Sequence, residues 1–568
     1  MPGMRGNSAW HHFVFAAVAV GVLLPLVFLI LGSFSTAKLP ADFSLDQMGV
    51  KNYVKVWSDP ETYRVFYNTV VYVAESTLLG IGIAVILAWL VERTNMPGKI
   101  WIYASIPMAF AMPALIQAMA WVLLLSPRSG WINRWLMDAF NLQDAPLSIY
   151  TLTGMAFVEG LRLVPTAFLM LVPLLRSMDP ALEEAAATSG ASPFSTARKV
   201  TLRLMLPGVI AVTIYQAMTA LEVFEVPGVL GMPVGLHVFA TKIFAALQAI
   251  SVLPTYGEAN ALGMLYLALG LLCAWLYWSV IRRSEKYTVV TGKAYRPRQA
   301  DLGKWRWAAL VFVFAFMFLS VMLPFVVMLY ASFVPVVEIP SGEVLRNLTL
   351  KHYQHIFTFP RFGTVLWNTL LLVMVTATAT TIISYLISMV IVRSRFWGRQ
   401  TLDVLAFIPH TIPGVVAAIA FLWLFLVLGI YGSIWTVMLA FTLTYIAYGT
   451  RTMNAAILQI HKDLEEAAGA SGAPPWRVML RVFFPLMLPT FAGLWIWVVL
   501  LSVRLAGTPL ILAEGPNNQV LSVLIWIMWD EGDIEEVGAI ATLMMIAIFI
   551  LVLLLRLVGF RRALTQTR

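Results

Sequence analysis

Cysteine is almost missing: Cys273 is the only one in 568 residues. No disulfide framework can form within one chain, and no paired CxxC metal site exists. Charge is scarce as well. Asp, Glu, Lys and Arg make up 12% of the chain against 60% hydrophobic residues, about half the charged fraction of an ordinary soluble protein, roughly 25%. There is no GxxxxGK[ST] phosphate loop, no HExxH pair and no GxSxG element. ATP binding by a phosphate loop, zincin-type proteolysis and serine-hydrolase chemistry are thereby excluded. His11 and His12 precede the first apolar run and are expected as polar residues at a membrane interface, not as metal ligands.

What the chain has is apolar length. Runs of 18 or more apolar residues recur from end to end, as in a polytopic membrane protein. Lipid offers the backbone no hydrogen bonds, so each crossing must be a helix or belong to a closed barrel. The runs are continuous rather than alternating, which selects helices. Expected spans are 13–34, 68–91, 101–125, 151–175, 206–228 and 259–281, then 307–333, 366–392, 402–428, 432–456, 487–512 and 537–558. Each is near the 20 or so residues that cover about 30 Å of hydrocarbon. The first run is too long for a signal-peptide core and has a counterpart in the second half, so it is read as a retained span.

The chain repeats itself. Leu24-Pro25 matches Leu323-Pro324, Asn68-Thr69 matches Asn368-Thr369, Ile106-Pro107 matches Ile408-Pro409, and Pro207 matches Pro489. This predicts an all-α membrane protein of about 12 spans in two homologous six-helix halves. Residues 1–285 form the first half and 307–568 the second, and 286–306 is a polar, basic cytoplasmic linker. Even-numbered halves give parallel repeats. Lys and Arg concentrate on one side when the N-terminus is placed inside: Arg93, Lys99, Arg176, Arg198, Lys199, Arg203, the cluster from Arg282 to Arg306, Arg393, Arg395, Arg399, Arg451, Lys462, Arg477, Arg481, and Arg556 to Arg568. Both termini are therefore expected in the cytoplasm. The net charge of +9 follows from this topology, and no nucleic-acid partner is needed. The outer stretch Asp530, Glu531, Asp533, Glu535 and Glu536 is acidic.

One polar motif occurs twice on the inner side. Residues 183–193 read Glu-Glu-Ala-Ala-Ala-Thr-Ser-Gly-Ala-Ser-Pro, and 465–475 read Glu-Glu-Ala-Ala-Gly-Ala-Ser-Gly-Ala-Pro-Pro. A matched polar helix-turn among membrane spans needs a water-side reason, and docking of a soluble partner supplies one. Glu183, Glu184, Glu465 and Glu466 fall in a first turn, where carboxylates favour the helix N-terminus. Asp179 and Asp463 precede them as expected N-caps. Gly190 and Gly472 permit a sharp reversal at the helix end.

On these residues the chain resembles the permease subunits of binding-protein-dependent ABC importers, which carry an EAA motif. The second copy matches through Glu466-Ala467-Ala468, Gly472 and Val482-Phe483-Phe484-Pro485. The first matches through Glu184-Ala185-Ala186 and Gly190, then departs at Val200-Thr201-Leu202, where Arg203 replaces proline. That departure bears on how the chain leaves the motif, within loops of about 178–203 and 460–485. The fused two-half layout is similar to ferric-iron permeases and their thiamine and aminoethylphosphonate relatives. The resemblance implies the type I importer fold and a bacterial cytoplasmic membrane. It implies a solute-binding protein outside and two ABC ATPase subunits inside, one per motif. ATP and magnesium would bind on those ATPase chains, with no cofactor on this one and no covalent chemistry.

Charges inside spans are costly, about 2.5–3.5 kcal/mol each at mid-bilayer, and usually face protein or water. Glu75, Glu159, Arg162, Glu222, Glu225 and Arg504 are the candidates. Glu159 and Arg162 are three apart and are expected to pair. Glu222 and Glu225 are expected on one face of span five, and Glu222 aligns with Arg504 in the repeat. These three are expected to line the translocation pathway or form a gate, the alternative being a structural pair or an interfacial charge. Carboxylates suit a hard cation such as ferric iron, and arginine suits an anion. Ferric iron is the leading cargo, with a phosphonate or phosphorylated small molecule, thiamine or a polyamine as alternatives; no metal ligands are assigned. The rival of another class is an ion-coupled secondary transporter, which would need neither the repeated motif nor an ATPase.

Overall fold

The computed structural model describes residues 9–178, 181–248, 254–284 and 299–566. Among these the chain is helical, with two isolated bridges as its only β pairings. The first half contains α1 (Ala9–Phe34), α2 (Lys51–Ser58), α3 (Pro60–Arg93), α4 (Lys99–Ala111), α5 (Ala114–Leu125), α6 (Trp131–Phe140), α7 (Leu152–Ser177), α8 (Ala181–Thr188), α9 (Pro193–Glu222), α10 (Glu225–Gly231), α11 (Phe239–Leu247) and α12 (Tyr256–Ser284). The second contains α13 (Trp305–Phe333), α14 (Lys351–Thr358), α15 (Phe362–Arg393), α16 (Arg399–Phe407), α17 (Gly414–Leu428), α18 (Ile434–Gln459), α19 (Lys462–Ala470), α20 (Trp476–Arg504), α21 (Gly507–Leu512), α22 (Leu521–Glu531) and α23 (Ile534–Gln566).

Nine helices among the described residues are long and apolar enough to cross a membrane, and three broken pairs raise the number to as many as twelve. Two of the pairs are the third span of each half. They break just before Pro113 and Pro413, because the residue ahead of a proline is pushed out of the helical region. The third pair, α10 with α11, is a helical feature that follows span five and was not expected. The expected tenth span corresponds to α18, which is not among the nine. It carries Thr436, Thr442, Thr444 and Arg451, and Thr442 and Thr444 return their hydroxyls to the carbonyls of Met438 and Ala440. Packing against α15 and α20 removes the need for an apolar face all round.

Contacts divide the chain into two compact units. One comprises Met1–Thr62, Lys242–Ala268 and Pro360–Leu524, and the other Tyr63–Thr241, Leu269–Phe359 and Ile525–Arg568. Each draws on both sequence halves. In the first, α1 lies against second-half helices: Val14, Val18 and Val22 pack with Ile387, Val390, Leu402 and Ile446. A Cβ on Gly32 of α1 would sit 2.8 Å from Trp423, so glycine permits that approach to α17. His11 is fully buried and stacks near Phe396, because the α1 N-terminus is covered by the aromatic residues that follow α15, whereas His12 is exposed.

In the second unit α3 and α7 cross at glycines. A Cβ on Gly80 would meet the Gly160 carbonyl at 3.0 Å, and one on Gly160 would meet Leu79. The α5 helix is buried almost throughout, and the Gln117 amide donates to the Ser320 carbonyl at 3.3 Å, within a π-turn of α13. Burial of charge follows the sequence expectation here: Arg162 binds both oxygens of Glu159, at 2.5 and 2.8 Å, and Glu159 is wholly inaccessible.

Candidate functional site

The two motif copies fold alike. In α8 and α19 the small residues keep the helix slim, and each helix ends on a left-handed glycine, Gly190 at φ +81° and Gly472 at φ +77°. Behind them the Ala191 amide donates to the Ala186 carbonyl and the Ala473 amide to Ala468, at 3.0 and 3.1 Å. This is the paired C-terminal closure that a left-handed residue allows. Pro193 and Pro475 then start the next helix, where a missing amide proton costs nothing.

The expected N-caps differ. Asp179 lies outside the described residues. Asp463 is not the cap but the second residue of α19, and its amide donates to the His461 ring nitrogen at 3.4 Å. The exit from the motif is the same in both copies despite Arg203. A π-turn occupies Ala197–Thr201 in one and Met479–Phe483 in the other, the same position once the repeat offset is applied. Single π-turns inside helices are rare and gather at functional places; periodicity gave no sign of them.

The motif carboxylates divide into two kinds. Glu183 and Glu465 point inward. Glu466 and Ala467 are exposed, Ala185 is exposed, and Glu184, Ala186 and Ala468 are half-buried. Inside each corner stands an arginine that sequence reasoning used only to assign sides. Arg93 ends α3 and Arg393 ends α15, with side chains 4% and 5% exposed. The Arg93 Nη2 donates to the carbonyls of Leu175 (2.8 Å) and Met178 (3.4 Å), and its Nε lies 3.3 Å from Glu183. The Arg393 Nη2 donates to the carbonyls of Ile457 (2.8 Å) and Ile460 (2.5 Å), and its Nη1 lies 3.9 Å from Glu465. These carbonyls lie at the C-terminal ends of α7 and α18, where a cation is favoured.

Around the inward arginine the outer face is apolar. Leu182 and Phe194 in the first copy, and Leu464 and Trp476 in the second, are all exposed large side chains. Each pair occupies equivalent positions in the repeat. In the first copy a cavity of about 730 Å³ also opens between Arg93, Glu183, Glu184, Thr188 and the end of the linker at Gln299, Ala300 and Asp301. The linker residues are tied down: the Ala300 amide donates to the Arg93 carbonyl at 2.8 Å, and the Asn95 amide to the Ala300 carbonyl at 3.0 Å. The Gly303 amide and the Asn95 side chain hold the Asp301 carboxyl below its usual range. Of the predicted linker 286–306, residues 286–298 lie outside the described residues.

The expected pathway residues end helices. Glu222 is the last residue of α9 and Arg504 the last of α20, which matches their alignment. Glu222 and Glu225 do not share a helix face: the helix stops at Glu222, and Glu225 opens α10 after a break at Val223-Phe224. Within their unit both lie in electrostatic range of Arg162, alongside Glu159. Among the described residues these carboxylates form no group able to hold a metal ion.

The family model for the inner membrane component of binding-protein-dependent transport systems matches residues 80–286 and again 381–565. The chain belongs to this family. The two matches cover both motif corners and confirm the duplication. Among curated relatives, the putative ferric transport system permease FbpB 1 of Haemophilus influenzae is 25% identical over 73% of this chain and 64% of that protein. The ferric transport system permease FbpB of Actinobacillus pleuropneumoniae is 25% identical over 73% of this chain and 59% of that protein. The chain thus spans about three-fifths of the length of these relatives. The spermidine/putrescine permease PotC of Haemophilus influenzae is 29% identical over 32% of this chain and 70% of that protein. The chain is similar to ferric permeases over most of its length, and its family is one of inner membrane transport components.

Proposed function

We propose that this chain forms the translocation pathway of an ATP-driven importer in a bacterial cytoplasmic membrane, with both termini on the cytoplasmic side. A solute-binding protein delivers cargo to the outer face. Two ABC ATPase subunits, which carry ATP and magnesium, dock on α8 and α19. The observation that carries the reading is the paired corner: two short helices with the same left-handed closure, the same inward glutamate and the same exposed apolar residues, one in each family match. Ferric iron is the proposed cargo, supported by the iron permeases among the relatives. Glu222, Glu225 and Arg504 are proposed to act in the pathway or its gating, supported by their place at the ends of the two matching span-five helices.

The test is reconstitution in lipid nanodiscs with the co-purifying ATPase and binding protein. ATP hydrolysis is then followed with ferric iron, aminoethylphosphonate, thiamine or spermidine. Stimulation by ferric iron alone supports the proposal, whereas stimulation by another ligand keeps the importer and reassigns its cargo. Background hydrolysis under every condition, with uptake that follows an ion gradient, replaces it with a secondary transporter. Glu466→Lys, on the exposed face, is expected to uncouple uptake from hydrolysis in a folded protein. For the pathway residues, Glu222→Arg and Arg504→Glu are each expected to lower uptake. A double exchange no better than either single change disfavours a direct pair.

A further inference from the structure

We infer that Arg93 and Arg393 are positioning residues that clamp each docking helix to two membrane spans, so that movement of the docking helix is passed to those spans as one body. The inference rests on the proposed docking of ATPase subunits at α8 and α19.

The geometry is the same in both corners and arises from separate stretches of chain. Each arginine is the final residue of a helix more than 30 residues long, α3 or α15. Each reaches across to a second span and takes two of its last carbonyls, Leu175 and Met178 of the first copy or Ile457 and Ile460 of the second. Each also faces the first glutamate of the motif, Glu183 or Glu465. One planar guanidinium thus joins three pieces: the end of span two, the end of span four and the docking helix. A guanidinium presents five donors in a fixed fork; here Nη2 donates to both carbonyls while the cation faces the glutamate, at 3.3 Å in the first corner and 3.9 Å in the second. A lysine has the charge without the fork. The arginine side chains are nearly fully buried, so the contacts are screened less than surface pairs.

This arrangement separates two jobs within the motif. Glu466, Ala467 and Trp476, like Ala185 and Phe194 in the first copy, are exposed at the surface. The inward glutamates are occupied and do not face the docking surface. Loss of the clamp therefore leaves the docking surface in place but loosens it from the spans.

The experiment uses the whole permease with its ATPase and binding protein in nanodiscs, comparing wild type with Arg93→Lys, Arg393→Lys, Arg93→Met and Arg393→Met. Three quantities are read: retention of ATPase subunits on size exclusion, hydrolysis rate, and cargo moved per ATP. The lysine variants are expected to fold and to retain the ATPase. Cargo moved per ATP is expected to fall at least fivefold in the methionine variants and by a smaller factor in the lysine variants. A ratio within twofold of wild type in Arg393→Met, or in Arg393→Lys should the methionine variant fail to assemble, overturns the inference. Loss of ATPase retention in the folded lysine variants also overturns it, because the arginine would then serve docking itself. Wild type that neither retains an ATPase nor hydrolyses ATP above background rejects the docking proposal instead.

Discussion

The two motif corners share a plan and differ in how the inward glutamate and arginine are completed. Where the first has Thr201, the second has Phe483, at the end of the same π-turn. Thr201 donates its hydroxyl to the free oxygen of Glu183 at 2.6 Å, so that carboxylate has two partners. Phe483 cannot donate; its fully buried ring lies 5.2 Å beneath the Arg393 guanidinium. There Glu465 depends on the arginine, while the arginine gains an aromatic face worth about 0.5–2 kcal/mol. The comparison teaches that the repeat preserves the arginine, its carbonyls and the carboxylate, and leaves the fourth contact open to a polar or an aromatic solution.

The largest effect is expected at the glycine that closes each docking helix. Gly472→Pro forces φ to about −65° where +77° is needed and removes the amide that donates to Gly469. Coupling between hydrolysis and uptake is expected to vanish. Gly190→Ala and Gly472→Ala meet no atom within 4 Å, so each should cost only the left-handed penalty, about 1–2 kcal/mol. Uptake assays and thermal melts check both statements, and equal damage from Ala and Pro would show that space rather than backbone conformation matters.

Next in size is the clamp itself. Arg393→Met leaves a buried carboxylate without its cation and takes one donor from each of the Ile457 and Ile460 carbonyls, a change of the kind that costs about 3–5 kcal/mol. Arg93→Met is expected to cost less, since Thr201 remains on Glu183 and that carboxylate is more exposed, at 14% against 7%. A melt series that ranks Arg93→Met as the more damaging breaks the comparison. Thr201→Val sharpens it. The exchange conserves shape and removes one hydrogen bond to a charged group, about 1.5–3 kcal/mol. In the double variant Arg93→Met with Thr201→Val the loss should approach that of Arg393→Met, because the first corner then has the second corner's dependence.

Much of this was legible in the residues. Apolar runs, the duplication and the glutamate–alanine–glycine pattern pointed to the helical class, the repeat and the two closed motif helices, because lipid burial and a left-handed glycine each leave a local mark. Other features left none. Arg93 and Arg393 read as side-determining charges, since their carbonyl partners lie over 60 positions away in the chain. The π-turns break no periodicity that a count of apolar residues detects. Glu222 and Glu225 fit a helical spacing, and only the break at Val223-Phe224 separates them. His461 as a cap in place of Asp463 is a contest between neighbours that composition does not decide.

The smallest effects belong to the opposite ends of the repeats, where α2 and α14 occupy equivalent places. In one unit Lys55 of α2 meets Glu258 at 2.5 Å, with 61% of the lysine side chain exposed. In the other, His352 of α14 is buried, with Nδ1 3.1 Å from Glu536 and Nε2 3.0 Å from the Val334 carbonyl. Removing His352 takes the ring nitrogen from the buried Val334 carbonyl and leaves Glu536 with His355 alone, so His352→Ala should cost about 1–3 kcal/mol. An exposed ion pair competes with water and with side-chain freedom, and its net worth is about 0–1 kcal/mol. Lys55→Met is therefore expected to leave the melting temperature nearly unchanged and to show no dependence on salt. A loss as large as that of His352→Ala would mean that Lys55 does more than its exposure allows, and that the two outer ends, unlike the two inner corners, are held by equal ties.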